Sequence, residues 1–269
     1  MLRDSDRKRC EDKWFDSDSM EENFDYKFFL RVAAKDKKFQ NVSFKYTIFD
    51  SCYFRKCIFE SCDFTGCRFL ATNFNGATFL DCKFDYATFE KTLIADDVLD
   101  VNCPAGENIR AKFARTLRIN YQQLGEARSA NKAMGVELDA TKTHLYKAWR
   151  SQERYFRAKY RGLTRLQFFF SWLSFNILDV LWGNGESILK LVRSILIFLV
   201  ILALVDTFKF RDPGLVRSYW RALVEAPQTF LGTRVPPNFS HSALTLILSV
   251  RLIMFGALTS LIIKRYGRR

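Results

Sequence analysis

Histidine is nearly absent from this chain: its 269 residues include two, His144 and His241, and none of the seven cysteines forms a Cys-x-x-Cys pair. The usual nitrogen and sulfur ligand sets for zinc are therefore missing, and neither a metal nor another cofactor is expected. No nucleophile, acid–base pair or phosphate-binding loop is recognisable either, and the two histidines fall in separate regions, so no enzyme activity is expected and no catalytic residue is named. Acidic side chains are the minority sign, 29 against 42 Lys and Arg, for a formal charge of +13. No cleavable signal precedes the charged N-terminal segment, so the N-terminal part is expected to stay in the cytosol, where thiols are kept reduced. Apolar surface is not lacking. With 48% hydrophobic and 16% aromatic residues the chain cannot be disordered, and a mean hydropathy of -0.12 averages a polar half with a greasy one.

Phenylalanine is the residue in excess, with 27 copies against 10 Tyr and 5 Trp. Eleven follow one another in steps of five: Phe39, Phe44, Phe49, Phe54, Phe59, Phe64, Phe69, Phe74, Phe79, Phe84 and Phe89. A step of five scatters side chains around an α-helix and alternates them between the faces of a strand. A solenoid in which each pentapeptide forms one side of a coil can bury them all. Two residues before each Phe from Phe44 on the side chain is small: Val42, Thr47, Cys52, Cys57, Cys62, Cys67, Thr72, Ala77, Cys82 and Ala87. One bulky and one small inward position per side suit a narrow interior, and the cysteines there read as small apolar fillers.

This pattern resembles the pentapeptide-repeat family. The resemblance implies a right-handed quadrilateral β-helix with four pentapeptides per coil, here over residues 37–100 after a charged segment at 1–36. At an inter-strand spacing of about 4.8 Å, eleven pentapeptides give a rod of just under three coils. Some members of the family mimic DNA through a strongly acidic surface. Residues 36–95 carry eight basic and seven acidic side chains, so mimicry is not expected here.

The C-terminal part, 191–269, contains two apolar segments expected to cross a membrane, 191–208 and 243–263. Core helices of a soluble domain are the alternative, but such helices normally have a polar face. Arg193, Asp206 and Lys209 flank the first span and can snorkel to the interfaces. Lys264, Arg265, Arg268 and Arg269 crowd the end of the second, so both termini are expected in the cytoplasm by the positive-inside rule. Between the spans, 218–236 reads as a re-entrant segment, tolerated at membrane depth only where it lines a water-filled path or is buried in protein. This layout resembles the two-transmembrane pore-loop channels, with Thr229, Phe230, Leu231, Gly232 and Thr233 in the place of the pore loop. The resemblance implies a homo-oligomer, with a tetramer the natural closure. A single glycine followed by Arg234, Pro236 and Pro237 departs from the potassium filter. Arg251, the one charge within the second span, faces a pore or a partner carbonyl, or snorkels to the interface. Arg234, Arg251 and Phe255 complete the candidate pore residues.

Residues 101–190 form a helical connector. Ile109, Phe113, Leu117, Tyr121 and Leu124 mark an amphipathic helix that Gly125 can interrupt. Lys147, Arg150, Arg154, Arg157, Arg161 and Arg165 step by three and four and are expected on one face of one helix; Lys112, Arg115 and Arg118 form a weaker patch. The stripe suits either anionic headgroups or a polyanion whose phosphates the arginines track while aromatics stack on its bases. A Gly183-Asn184-Gly185-Glu186-Ser187 turn before the first span is similar to one in pentapeptide-repeat proteins with a membrane tail.

The combination is expected to be a ligand-gated ion channel of a bacterial inner membrane, the solenoid and connector acting as its cytosolic sensor. A cytosolic sensor on a minimal pore is similar to anti-phage effectors that depolarise the cell, including the Hailong type. That likeness implies a nucleotide or single-stranded DNA ligand and, as a further partner, the enzyme that makes it. A membrane-anchored scaffold without conductance is the alternative.

Overall fold

The computed structural model describes residues 7–266, with side chains through Ile263. Arg268 and Arg269 of the expected basic cluster lie outside the described residues, as do the side chains of Lys264 and Arg265. The chain divides into two compact units, residues 1–169 and 170–269.

The first unit begins with a β-solenoid of three-residue strands. β1 (Arg9–Glu11), β3 (Phe28–Leu30), β6 (Ile48–Asp50), β9 (Arg68–Leu70) and β11 (Thr88–Glu90) stack as one parallel five-stranded face. β2 (Ser19–Met20), β5 (Lys38–Gln40), β8 (Ile58–Glu60) and β10 (Thr78–Leu80) form a second, and β4 (Ala33–Lys35) with β7 (Tyr53–Arg55) a third. Single bridges from Asn23 to Ser43, Ser43 to Asp63 and Asp63 to Lys83 complete the fourth. Each coil is twenty residues, since Phe49 pairs with Phe69 and Phe69 with Phe89. The expected ladder lies inside, from Phe39 at 0% exposure to Phe89 at 4%. Rings one coil apart stack, as Phe44 on Phe64 at 5.1 Å and 1° and Phe39 on Phe59 at 4.8 Å and 11°, because the strand spacing sets the ring spacing. Rings on adjacent sides meet edge to face. Burial of each ring is worth about 1.5–3 kcal/mol.

The solenoid starts earlier than expected. The boundary at residue 36 and the rod of just under three coils are both corrected by β1, which places the first strand at Arg9. Phe15, Phe24, Phe29 and Ala34 join the same core. The ladder hides this because Ser19 and Ala34 occupy the central place of Phe, and because the first coil is one residue short. Cys10 pairs with Phe29 nineteen positions on, whereas Ser19 pairs with Phe39 twenty on.

The far end of the coil is closed by helices α1 (Val98–Val101) and α2 (Glu107–Gln123). A last coil presents unpaired backbone groups, which are costly if buried. Side chains take the missing strand's place. Asn102 Oδ1 accepts from the Cys82 N–H and its Nδ2 donates to Phe79 O. Asn120 does the same for Thr92 N and O, at 2.7 and 2.8 Å, while Thr116 and Gln123 accept from the N–H groups of Phe89 and Lys91. Thr116, Asn120 and Gln123 share one helix face, and Phe113 on α2 stacks on Phe84 at 5.7 Å, continuing its column. After Gly125 (φ +77), α3 (Ala127–Arg150) folds back on α2. Nearly buried Glu137 on α3 receives both Arg115 and Arg118, at 2.7 and 2.8 Å. Then follow α4 (Arg154–Lys159) and α5 (Leu163–Trp182), which runs across the division between the units.

In the second unit, α6 (Ile188–Phe210) and α8 (His241–Tyr266) contain the two expected spans. Both are long and apolar enough to cross a membrane; the 23 residues of α6 make about 35 Å, against a hydrocarbon core of about 30 Å. Only 22% of the apolar stretch of α6 and 6% of that of α8 are buried within the chain, unlike core helices of a soluble domain. The glycine turn precedes α6, with Gly183, Asn184 and Gly185 all at positive φ and Ser187 Oγ capping the Lys190 N–H. α7 (Val216–Leu231) lies between the two long helices and buries Ala222 and Ala226 against Leu202, Ala203 and Ile247.

Candidate functional site

The basic stripe does not lie on one helix. α3 ends at Arg150, where the Ser151 hydroxyl accepts from the Glu153 N–H at 3.0 Å and holds a non-helical turn. α4 ends before Gly162, whose φ is +54. The six residues thus fall at the end of α3, on α4, in the link at Arg161 and at the start of α5, and folding returns them to one neighbourhood, since Arg165 on α5 donates to Trp149 O on α3. Lys147 is engaged by Glu107 at 2.6 Å and by Glu153 at 3.5 Å. Arg157 donates to Gln152 and Arg161 to Arg157 O. Arg150 lies against the rings of Tyr146 and Trp149, at 5.7 and 6.0 Å. Among the described residues, Arg150, Arg154, Arg157, Arg161 and Arg165 form no ion pair with a carboxylate, so their charge is available to a ligand. The weaker patch is spent differently, with Arg115 and Arg118 committed to Glu137.

Aromatics expected near this stripe, Phe156 and Tyr160, join Phe168 in a box around His144, whose place among them was not anticipated. His144 lies among Phe156, Tyr160 and Phe168, with ring centroids 5.9–6.2 Å away, and its Nε2 is 3.3 Å from the Tyr160 hydroxyl. Its Nδ1 is buried without a hydrogen-bond partner. Burial, with Lys159 nearby, holds the imidazole below its ordinary value of 6.5, so it is neutral at pH 7. The spacing of 144, 156, 160 and 168 along the sequence contains this box only after the turn at Ser151 is known.

In the solenoid Cys52, Cys57, Cys62, Cys67 and Cys82 are buried. All seven cysteines are free, burial pushes Cys52 up to about 11, and Cys67 donates to Phe44 O one coil back at 2.8 Å.

In the second unit, most of the segment compared with a pore loop is the end of a short helix. Thr229, Phe230 and Leu231 close α7, Gly232 caps it in the left-handed region at φ +79, and the Thr233 N–H returns to Gln228 O at 3.0 Å. The left-handed cap satisfies carbonyls that an extended loop would have left free. Arg251 reaches this end from α8: its guanidinium faces Phe230 O at 3.5 Å and lies where a Cβ on residue 232 would go, so a side chain there would displace it as well as strain the left-handed backbone. The cation meets the negative end of the helix dipole, the partner-carbonyl arrangement open to it from the sequence. Phe230 and Phe255 meet at 5.9 Å. Arg234 turns away from this group and pairs with Glu225, which also binds Arg211. Arg193 works like Arg251, donating to Val180 O near the end of α5, and Lys190 pairs with Asp179 at 2.7 Å.

Residues 38–69 and 62–93 match the family described as pentapeptide repeats, which agrees with the solenoid over its central coils. No curated protein matches the chain. Among solved structures, two trypsin-treated variants of QnrB1, a plasmid-mediated fluoroquinolone resistance protein, align at 16% and 18% identity with TM-scores of 0.13 and 0.12. The alignments cover 34% and 31% of this chain, and 62% and 56% of those chains. Less than two thirds of each relative is thus spanned.

Proposed function

We propose that the protein is an oligomeric ion channel of a bacterial inner membrane, with the solenoid and the α2–α5 helices as a cytosolic sensor and α6–α8 as the pore-forming part. One observation carries this reading. Between two apolar helices lies a 16-residue helix, about 24 Å long and so too short to span the hydrocarbon core, whose C-terminal end is held by Arg251. A simple anchor has no use for a half-length helix whose end meets a half-buried guanidinium from α8, whereas a pore uses such helix ends to set the field along its axis. Four copies close such a pore most simply.

The ligand belongs to the unpaired arginines around Trp149 and Tyr155, which suit a nucleotide or single-stranded DNA, supplied by a separate enzyme. The biological setting in this reading is anti-phage defence, in which the ligand controls depolarisation. A ligand gates only by binding open and closed states unequally.

Purified protein in a planar bilayer is expected to conduct, with open probability changed by single-stranded oligonucleotides. Neutralising Arg150, Arg154 and Arg157 is expected to abolish that response and leave unitary conductance unchanged. Absence of current under every ligand condition, with protein verified in the bilayer, sinks the channel. A membrane-anchored scaffold is the second reading, favoured by the solenoid's closed end, which makes it a complete binding rod. It requires function to survive exchange of α6 and α8 for unrelated spans.

A further inference from the structure

A cleft of about 490 Å³ lies at the α6–α7 turn, with the candidate pore residues Thr229 and Arg234 in its wall. Its charged lining consists of Asp206 and Arg211 at the end of α6, Arg217, Arg221 and Glu225 on α7, and Arg234 beyond it. The carboxylates are already used. Asp206 binds Arg211 at 2.6 Å, and Glu225 binds both Arg211 and Arg234. Arg217 and Arg221, one helical turn apart on α7 and both exposed, have no carboxylate partner among the described residues. Four guanidinium groups against two carboxylates leave the cleft with an excess of two positive charges.

Three properties of this lining select a phosphate group. Guanidinium binds phosphate in a two-pronged fork, which a chloride-sized ion does not exploit. α7 begins beside the cleft, which Leu215, Arg217 and Ser218 line, and has no side-chain cap, so the positive end of its dipole lies at this wall. A phosphate ester carries about one to two negative charges, which balances the excess. The wall also holds Ser218, Thr229 and Asn238, and Phe210 and Phe239, in ring contact at 5.1 Å, give the carbon portion of a phosphate ester a surface to lie against.

We propose that this cleft is a binding site for a phosphate group held by Arg217 and Arg221. The ion pairs of Arg211 and Arg234 fix its back wall, while the two unpaired arginines make the contacts. Binding here requires no conductance and is independent of the channel reading. The phosphate comes either from an anionic phospholipid headgroup or from a soluble phosphate.

The test uses the full-length protein in mild detergent, wild type against Arg217→Gln/Arg221→Gln, with native mass spectrometry for phosphatidylglycerol or phosphatidylcholine and calorimetry for inorganic phosphate. The expected result is retention of phosphatidylglycerol by the wild type and at least tenfold weaker retention by the variant. Inorganic phosphate that binds the wild type and displaces the lipid, both effects lost in the variant, supports a soluble source. Lipid retention without phosphate binding supports the headgroup. Equal binding of every probe by wild type and variant overturns the proposal. If the double variant fails to fold, Arg221→Lys serves instead: it keeps the charge, and affinity should fall because the fork is lost. Unchanged affinity in that variant also overturns the proposal.

Discussion

Phe64 is 1% exposed and Phe208 is 63% exposed, though both lie in strongly apolar sequence. In the solenoid, apolar side chains find each other: Phe64 lies between Phe44 and Phe84, each 5.1 Å away. In the second unit, Leu189, Leu246 and Ile253 point out of the chain at 83%, 64% and 71% exposure. The repeat supplies its own solvent-free interior because each coil buries the next. The long helices leave most of their apolar surface uncovered by the chain, and both are long and apolar enough to cross a membrane.

Substitutions can break this contrast. Phe64→Ala should have the largest effect, lowering stability by about 3–5 kcal/mol, read as a fall in the denaturation midpoint of the solenoid, whereas Leu196→Ala on α6 should leave that transition in place. Ile253→Asp should reverse the pattern: about 2.5–3.5 kcal/mol against membrane insertion, seen as loss from the membrane fraction, with the solenoid transition unchanged. Asn120→Ala leaves the Thr92 N–H and C=O without partners, and a loss of about 1–3 kcal/mol is expected. Hydrogen exchange at Thr92 should then rise before that at Phe49 or Phe69.

The smallest expected effect concerns pH and sharpens the boundary between the two regions. Burial and Lys159 hold His144 below its ordinary 6.5. Below that pH the unfolded chain takes up a proton that folded His144 resists, so the stability present above 6.5 falls as acid is added, until the folded imidazole itself titrates. Acid unfolding of the α3–α5 region should therefore begin below pH 6.5 and be shallower in His144→Phe. An identical acid profile for the variant assigns the sensitivity elsewhere.

Much of the solenoid was legible in the sequence because a five-residue period has few structural solutions, and Phe39 to Phe89 all lie where that period places them. Its first coil was not, since Ser19, Ala34 and one missing residue interrupt the signal without interrupting the pairing. The closing helix was legible as amphipathic from Phe113, Leu117 and Tyr121, but not as a lid. Only the opposed carbonyls show that Thr116, Asn120 and Gln123 stand in for a strand, although their helical spacing was there to be read. For the basic stripe, spacing alone pointed to one helix, and the Ser151 hydroxyl and Gly162 divided it. The TFLGT segment was compared with a pore loop by resemblance, whereas its glycine serves as the left-handed cap of α7.

The sequence by itself determined the coil, the two long apolar helices and the uneven distribution of charge, because these follow from periodicity and composition along the chain. Which charges are free was decided only by the tertiary structure. Arg115, Arg118, Arg211 and Arg234 resemble Arg154, Arg217 and Arg221 in sequence, but Glu137, Asp206 and Glu225 neutralise only the first four. An ion pair depends on distances of a few ångströms between residues that folding brings together, and those distances are not written in residue order.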